Sequence, residues 1–142
     1  MKSIYLCGPI AGLSLADAAA YRQPAADALR CAGFSVRDPM RGVAARAAIG
    51  EDAPGLPTLY LSRDLRDIGQ CDAVLADFRR DGGRVSIGSC VEIGVAATMS
   101  KPIVVMMEPD CLHDHPFIRG TAVAVCSSED EAVNRLLYLL AD

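Results

Sequence analysis

The sequence from Ala73 to Met107 reads AVLADFRRDGGRVSIGSCVEIGVAATMSKPIVVMM. Two short hydrophobic runs, Ala73 to Asp77 and Ile103 to Met107, enclose a helix-compatible segment, Gly88 to Met99. Strand, helix and strand in that order are typical of a parallel sheet with helices on its faces, because parallel strands need a long crossover connection. This stretch therefore predicts one βαβ unit of an α/β fold.

The same alternation extends over the rest of the chain. Further strands are predicted at Ser3 to Cys7, Phe34 to Arg37 and Ala122 to Cys126. Further helices are predicted at Leu15 to Ala32, Thr58 to Gln70 and Ser128 to Leu140. We therefore predict an α/β, doubly wound sheet of five parallel strands. The chain is long enough for one core and too short to divide, so residues 1–142 are expected to form a single domain.

Two segments fit neither a strand nor a helix: Asp38 to Pro57 and Glu108 to Gly120. Long irregular segments in a compact domain are commonly functional. We predict that both are loops over a site at the carboxyl ends of the strands, where open α/β sheets bind ligands.

The net charge indicates which kinds of partner the protein can bind, and the apolar segments indicate where it is located. The net charge is −4 and the isoelectric point is about 5.1, which argues against a nucleic-acid polymer and against an anionic membrane surface. A small ligand is expected instead. The apolar start of the chain is too short for a signal peptide, and no uncharged stretch reaches transmembrane length, so we expect a cytoplasmic protein.

The six cysteines are widely spaced, form no C-x-x-C pair and have only two histidines to accompany them. This spacing favours reduced, mostly buried thiols over disulfides or a zinc site. We therefore expect no metal and no other cofactor.

Glu92 is the one carboxylate among the small or apolar residues from Val85 to Ser100. Burying a charged side chain among apolar residues costs free energy, so such an acid is expected to have a bonding partner or a functional role. The preceding turn predicts that Glu92 lies near the first turn of a helix, where N–H groups and the helix dipole favour a negative charge. An ionised, partly desolvated carboxylate suits a nucleophile or a general base. The structural alternative is a Glu that caps its own helix or pairs with an arginine.

The first predicted strand runs into YLCGPIAG, residues 5–12. A glycine directly after a first strand, here Gly8, lets the backbone approach a ligand closely. Tyr5 could aim its hydroxyl at this site, although packing is the commoner role of a strand tyrosine.

A loop with Arg79, Arg80 and Arg84 precedes Ser86 and the predicted helix start at Gly88. Backbone N–H groups at a helix start, a serine hydroxyl and an arginine could together receive a phosphate. A β-turn with solvated arginines explains the same residues equally well.

Three acids, Asp64, Asp67 and Asp72, lie in RDLRDIGQCD at residues 63–72. Asp64 and Asp67 share a helix face, and Asp72 is expected to end the helix. A solvated face is the default interpretation of such a charged run, so at most one of the three is expected at a site.

Together these motifs resemble the nucleoside 2-deoxyribosyltransferases and their relatives, the 2′-deoxynucleoside 5′-monophosphate N-glycosidases. The resemblance covers most of the chain. It is carried by IYLCGPI at residues 4–10, RDLRDI at 63–68, SIGSCVEIGVA at 86–96 and KPIVV at 101–105. It implies a flavodoxin-like (Rossmann-like) sheet in the order 2-1-3-4-5, and a homo-oligomer that completes its site across an interface.

The resemblance also implies roles for individual residues. Glu92 is the implied nucleophile, which attacks the anomeric carbon of the deoxyribose and forms a covalent glycosyl-enzyme. Asp64 is implied to assist the departing base or to position Glu92, and Tyr5 to orient the nucleophile. An adjacent carboxylate stabilises the positive charge of an oxocarbenium-like centre, and a poor leaving group departs more easily when it receives a proton. The implied substrate-binding residues are Gly8, Ile10, Arg84, Ser86 and Gly88.

Position 86 separates the two branches of this resemblance. Six residues before the nucleophile, the transferases usually place an Asp that accepts from the sugar 5′-hydroxyl, whereas the nucleotide hydrolases place a Ser that contacts the 5′-phosphate. This chain has Ser86. An Asp repels a phosphate at contact distance, and a serine beside Arg84 can receive it, so the residue type favours a nucleotide substrate.

Two features depart from the resembled pattern. The transferases often contribute an Asn near the C-terminus to a neighbouring subunit, and the one Asn here, Asn134, lies in a predicted amphipathic helix. The hydrolases contribute a neighbouring-subunit Ser for phosphate. The nearest region here offers other side chains, namely His113, His115, Arg119 and Thr121.

The sequence therefore predicts an enzyme of nucleotide salvage that cleaves the N-glycosidic bond of 2′-deoxynucleoside 5′-monophosphates and passes the sugar from Glu92 to water. A close alternative is a deoxyribosyltransferase that passes the sugar to a second base. More distant alternatives are a non-catalytic nucleotide-binding module, since fold alone does not give function, and an NAD-cleaving glycosidase.

Overall fold

The computed structural model of the protein describes residues 1–42 and 55–142. Within these residues it contains five strands and five helices. The strands are β1 (Ser3–Cys7), β2 (Ser35–Arg37), β3 (Ala73–Asp77), β4 (Ile103–Met106) and β5 (Ala124–Cys126). The helices are α1 (Leu15–Cys31), α2 (Leu56–Gln70), α3 (Ile87–Thr98), α4 (Pro116–Thr121) and α5 (Glu129–Leu139).

The strands form one parallel sheet in the order β2-β1-β3-β4-β5. The predicted order 2-1-3-4-5 is confirmed. On β1, Tyr5 is paired with Val74 of β3, and Cys7 with Ala76. From β1 the chain first adds β2 on one side of β1 and then adds β3 on the other side. The loops that leave β1 and β3 therefore diverge to opposite faces of the sheet and open a crevice between them.

Alternation along the strands gives the sheet two apolar faces. Ile4 and Leu6 of β1 pack in a cluster that includes Leu29 of α1 and Leu136 of α5. Tyr5 and Cys7, which point the other way, pack in a cluster on the opposite face. That cluster includes residues of α2, α3 and α4, namely Ile68, Ile93, Ala96 and Ile118. The side chains of β1 that reach α3 are therefore the odd-numbered ones.

Several predicted boundaries shift by one or two residues. The second, fourth and fifth strands are shorter than predicted, because the structure leaves Phe34, Met107, Ala122 and Val123 outside the sheet pairing. The helix predicted at Gly88 begins at Ile87, because Ser86 caps it through a hydrogen bond from Ser89 N–H.

Both predicted loops need correction. The segment Glu108 to Gly120 contains most of α4, which starts where His115 accepts the Phe117 N–H and Pro116 takes the first helical position. Of the segment Asp38 to Pro57, residues 38–42 precede α2, which itself begins at Leu56. The intervening residues, 43–54, lie outside the described part of the chain.

Candidate active site

A pocket of about 570 Å³ opens where the loops after β1, β2 and β3 meet α2 and α3. Every predicted site residue except Tyr5 lines it. These residues are Gly8, Ile10, Asp64, Arg84, Ser86, Gly88 and Glu92. The structure thus brings together positions that lie as much as 84 residues apart, from Gly8 to Glu92.

Tyr5 lies behind the pocket and contacts its carboxylate. The Tyr5 hydroxyl donates a hydrogen bond to Oε1 of Glu92 over 3.0 Å, and the Tyr5 side chain is fully buried. Burial raises the pKa of Tyr5 far above its usual value, with further increases from Glu92 and Asp64. Tyr5 is therefore a permanent hydrogen-bond donor to Glu92.

Glu92 lies in the second turn of α3, six residues after the cap at Ser86. Glu92 therefore lies near the first turn, as expected, but beyond the residues whose N–H groups the helix start leaves free. Its carboxylate is half-buried on the wall of the pocket. A strand residue, Tyr5, supplies the donor that the helix start was expected to supply.

The surroundings of Glu92 raise its proton affinity. Burial is the main cause and brings the pKa of Glu92 to about 7, with Asp64 raising it and hydrogen bonds from Cys7 and Tyr5 lowering it. At neutral pH a substantial fraction of the carboxylate is thus ionised and weakly solvated. Such a group can act as a nucleophile.

Cys7 is a second neighbour of Glu92, which the sequence did not reveal. The buried thiol donates to the carbonyl oxygen of Ser89 over 3.7 Å, and Cys7 also lowers the pKa of Glu92. The alternation of side chains along the strand could have predicted this neighbour, because Cys7 follows Tyr5 by two positions and lies on the same face of β1.

Asp64 of α2 faces the same pocket with a side chain that is 13% exposed. Its Oδ1 accepts from Nε and Nη2 of Arg63 at 3.4 and 3.3 Å. Burial raises the pKa of Asp64, and Arg63 opposes that rise. Arg63 also donates to the backbone carbonyls of Pro39 and Arg41 and so ties the chain after β2 to α2.

Asp67 and Asp72 have structural roles away from the pocket. Asp67 is fully buried and paired with Arg37, at 3.2 Å, and with Arg41. Asp72 lies just after α2, and its carboxylate accepts the Ser3 N–H over 2.7 Å. The default of a solvated acidic face is therefore wrong for Asp67, which is a buried ion-pair centre.

Ser86 and Ser89 form a hydroxyl pair at the start of α3. Their Oγ atoms lie 2.8 Å apart, and Ser86 Oγ also accepts the Ser89 N–H at 3.3 Å. Arg84 and Gly88 line the same end of the pocket, and Arg84 is exposed. Ser89 is a pocket residue that sequence reasoning missed, although its place three residues after the cap was the available signal.

Arg79 does not belong to this end of the pocket. Its guanidinium forms two hydrogen bonds with Asp77, of 2.9 and 2.8 Å, and one of 2.6 Å with Glu129 of α5. Three arginines of this loop were considered for a phosphate site, and of these Arg84 lines the pocket.

The turn after β1 is held by close backbone contacts. A Cβ at Gly8 would lie 2.5 Å from the Tyr21 hydroxyl and 2.7 Å from the Asp77 carbonyl oxygen, so no other residue fits there without a shift. Buried Arg22 donates to the carbonyls of Gly8 and Pro9 from the other side. Arg22 gave no signal in the sequence, because it lies in an ordinary Ala-rich helical pattern.

Of the four side chains near the C-terminus that were left without a role, one reaches the site. His113 Nε2 accepts the Ser86 N–H over 2.8 Å. His115 caps α4, Arg119 pairs with Asp114 at 2.5 Å, and Thr121 donates to the Ile118 carbonyl. Asn134 lies exposed in α5.

The described residues contain no group of three or more His, Cys, Asp or Glu side chains arranged to hold a metal ion. The same part of the chain contains no helix of the length and apolar character needed to cross a membrane. Cys7, Cys71 and Cys126 are buried free thiols, and Cys31 is exposed.

Three solved structures share this fold at 19–20% sequence identity. A conserved protein from Enterococcus faecalis V583 aligns with a TM-score of 0.77 over 99% of both chains, at 20% identity. The 2-deoxyribosyltransferase of Bacillus psychrosaccharolyticus aligns at 0.68 over 93% of this chain and 90% of its own, at 19% identity. The CMP N-glycosidase of Clostridium botulinum aligns at 0.58 over 98% of this chain and 100% of its own, at 19% identity.

No curated protein sequence matches the chain. The sequence model of the family described as nucleoside 2-deoxyribosyltransferase matches residues 4–129, which include β1, the pocket and the start of α5. The resemblance stated from the motifs is confirmed by this match. The chain belongs to the nucleoside 2-deoxyribosyltransferase family and is an enzyme of that family.

Proposed function

We propose that the protein is an N-glycosidase that acts on 2′-deoxynucleoside 5′-monophosphates and passes the sugar to water. The observation that carries this proposal is the hydroxyl of Ser86 at the cap of α3, in the same pocket as Arg84 and Glu92. A helix start with a hydroxyl and a guanidinium is suited to a phosphate. A carboxylate at position 86 would repel it.

The reaction has two displacements at the anomeric carbon. In the first, a Glu92 oxygen forms a bond to C1′ while the bond from C1′ to the base breaks, and the bonding pair leaves with the base together with a proton from Asp64. In the second, water attacks C1′, Glu92 leaves as a carboxylate, and Asp64 takes the proton from water. The products are the free base and 2-deoxyribose 5-phosphate, with retained configuration at C1′.

The charges of the pocket support this division of roles. Glu92 has a pKa of about 7 and a donor on Oε1 from Tyr5, so it can be ionised at neutral pH and held in one orientation. Burial also raises the pKa of Asp64, so the proton that Glu92 gives up when it becomes the nucleophile can be held by Asp64 and passed to the leaving base. Two carboxyl groups in one pocket also disfavour a state in which both are ionised.

A second candidate is transfer of the deoxyribosyl group to another base, which the family match favours. Both reactions form the same intermediate on Glu92. They differ in whether water or a base reaches C1′ in the second displacement, which depends on how well the occupied pocket excludes water.

The experiment that tests the proposal measures free-base release from the four deoxynucleoside monophosphates and from the four nucleosides. It compares the wild type with Glu92→Gln, and uses Glu108→Gln, at an exposed position outside the pocket lining, as the matched control. Release from monophosphates that is lost in Glu92→Gln and kept in Glu108→Gln supports the glycosidase. Turnover that requires an added base supports the transferase, and no turnover of any substrate contradicts both.

We also propose a homo-oligomer. Ile87 on the pocket lining is 76% exposed, and Val91 on the next turn of α3 is 46% exposed. Phe117 of α4 is 81% exposed. Large apolar side chains that are exposed to this extent are typical of an interface between subunits. Light scattering of the wild type and of Ile87→Lys checks this, and a wild-type monomer would contradict it.

A further inference from the structure

His113 connects the segment after β4 with the start of α3. Its Nε2 accepts the backbone N–H of Ser86 over 2.8 Å. The ring is 1% exposed and stacks on Phe78, with ring centroids 4.2 Å apart and planes inclined by 14°. Phe78 directly follows β3, so the stacking fixes the imidazole against the sheet. The hydrogen bond from the Ser86 N–H then fixes Ser86 relative to the imidazole.

We propose that His113 is a positioning residue, which holds Ser86 in place for the substrate 5′-phosphate and thereby sets the preference for nucleoside monophosphates over nucleosides. This inference rests on the proposed function, since it assigns a cause to the phosphate preference of the same pocket.

The hydrogen bond requires one protonation state of the ring. Because Nε2 accepts, the neutral ring must carry its proton on Nδ1. Nδ1 is buried and has no hydrogen-bond partner among the described residues. Burial lowers the pKa of His113, against an opposing influence of Asp81, so the neutral form prevails near pH 7. A buried N–H without a partner costs free energy, so His113 is not explained by stability alone.

The contact determines which groups face the phosphate. With its N–H directed to His113, Ser86 presents its hydroxyl, paired with Ser89, at the pocket. The first-turn N–H groups of Ile87 and Gly88 have no partners within the helix, and both residues line the pocket. A shift of Ser86 would move all of these donors together. A nucleoside, which has no phosphate to place there, is insensitive to that shift.

The test uses variants that separate shape from hydrogen bonding. His113→Phe keeps a flat ring against Phe78 and removes the acceptor. His113→Gln removes the ring and keeps an acceptor near the position of Nε2. His113→Met is a second variant without the acceptor, in case His113→Phe does not fold. For each, kcat and KM are measured for the preferred deoxynucleoside monophosphate and for the nucleoside of the same base.

We expect His113→Phe to lower kcat/KM for the monophosphate about tenfold, mainly through KM, which is the size of effect expected for one lost hydrogen bond. The nucleoside value should stay unchanged, and His113→Gln should restore most of the monophosphate value. Wild-type kinetics in His113→Phe would overturn the inference and leave the glycosidase proposal intact. An equal loss for both substrates would also overturn it, because that is the signature of a structural role.

If the wild type releases no base, the proposed function fails and the positioning role is tested by binding. Calorimetry then measures the affinity of each deoxynucleoside monophosphate for the wild type, His113→Phe and His113→Gln. Weaker binding to His113→Phe alone supports the positioning role. Equal affinities overturn it.

Discussion

The Tyr5 hydroxyl and the Glu92 carboxylate are joined by a hydrogen bond of 3.0 Å across 87 positions of sequence. One partner lies on β1, an inner strand of the sheet, and the other on α3, so the sheet itself sets the orientation of the proposed nucleophile. The same contact lowers the pKa of a carboxylate that burial has raised to about 7. The position of β1 relative to α3 therefore controls both the direction and the charge of Glu92.

Removal of the hydroxyl in Tyr5→Phe should raise the pKa of Glu92 further, because a donor to the ionised form is lost. We expect the acid limb of the pH profile of kcat/KM to move to higher pH by roughly half a unit to one unit. Tyr138→Phe is the control, since Tyr138 is 84% exposed on α5. An unchanged acid limb in Tyr5→Phe would show that this contact does not control the nucleophile.

Glu92→Gln should stabilise the protein at alkaline pH. The folded pKa of about 7 exceeds the usual 4.5, so the folded chain holds the Glu92 proton more tightly than the unfolded chain does. The stabilising contribution of the protonated acid is therefore lost as pH rises through 7. Relative to wild type, we expect a gain in the free energy of unfolding of roughly 1–3 kcal/mol at pH 8.

The pH dependence distinguishes this effect from a general improvement in packing. Urea unfolding of both proteins at pH 5 and pH 8 should show a smaller difference at pH 5, where Glu92 is protonated in the folded wild type. A gain of the same size at both pH values would contradict the assigned cause.

Ser86→Asp should change the preferred substrate. Asp is a good helix cap, so α3 should keep its start, while the new carboxylate repels a phosphate at the same position. We expect kcat/KM for monophosphates to fall by about a hundredfold or more, while nucleosides are affected much less. Ser128→Asp, at the cap of α5, makes the same change at another helix start and should leave both values unaltered.

Gly8→Ala should destabilise the protein by roughly 2–4 kcal/mol, because the added methyl group meets the Tyr21 hydroxyl and a backbone oxygen of Asp77. Gly69→Ala is the matched control, since its nearest neighbour is Met99 Sδ at 3.9 Å. Within helix α2 that change should be neutral or stabilising by up to about 1 kcal/mol. Denaturant unfolding of the two variants measures the contrast, and equal effects would contradict the close approach at Gly8.

The parallel α/β sheet could be predicted because each hydrophobic run was short and each was separated from the next by a helix or a long connection, whereas the order of the strands came from the family resemblance. The gathering of Gly8, Asp64, Ser86 and Glu92 followed from the same topology and the family resemblance. Roles that depend on neighbours distant in sequence could not be read in this way. Arg22 holds the turn at Gly8 and His113 holds Ser86, yet neither lies in a motif that announces its partner.

Errors in the predicted details have local physical causes. The helix that carries Glu92 was expected to start at Gly88, whereas the cap formed by Ser86 starts it at Ile87. Asp67 was expected on a solvated face because the arginines that pair with it, Arg37 and Arg41, come from the region of β2 rather than from its own helix. The first error comes from a local cap, and the second arises where side chains far along the chain outweigh local periodicity.

The pairing of β1 with β3 has a consequence for how the protein matures. Ser3–Cys7 is synthesised well before Ala73–Asp77, its neighbour in the sheet, and Glu92 is synthesised later still. Contacts of such long sequence separation form late in folding, after the local helices. Until β1 joins the sheet, Glu92 has neither the hydrogen bond from Tyr5 nor its buried surroundings, so its pKa is not raised in this way. A chain in which β1 is not yet paired with β3 thus lacks the oriented and buried Glu92 that the proposed reaction requires.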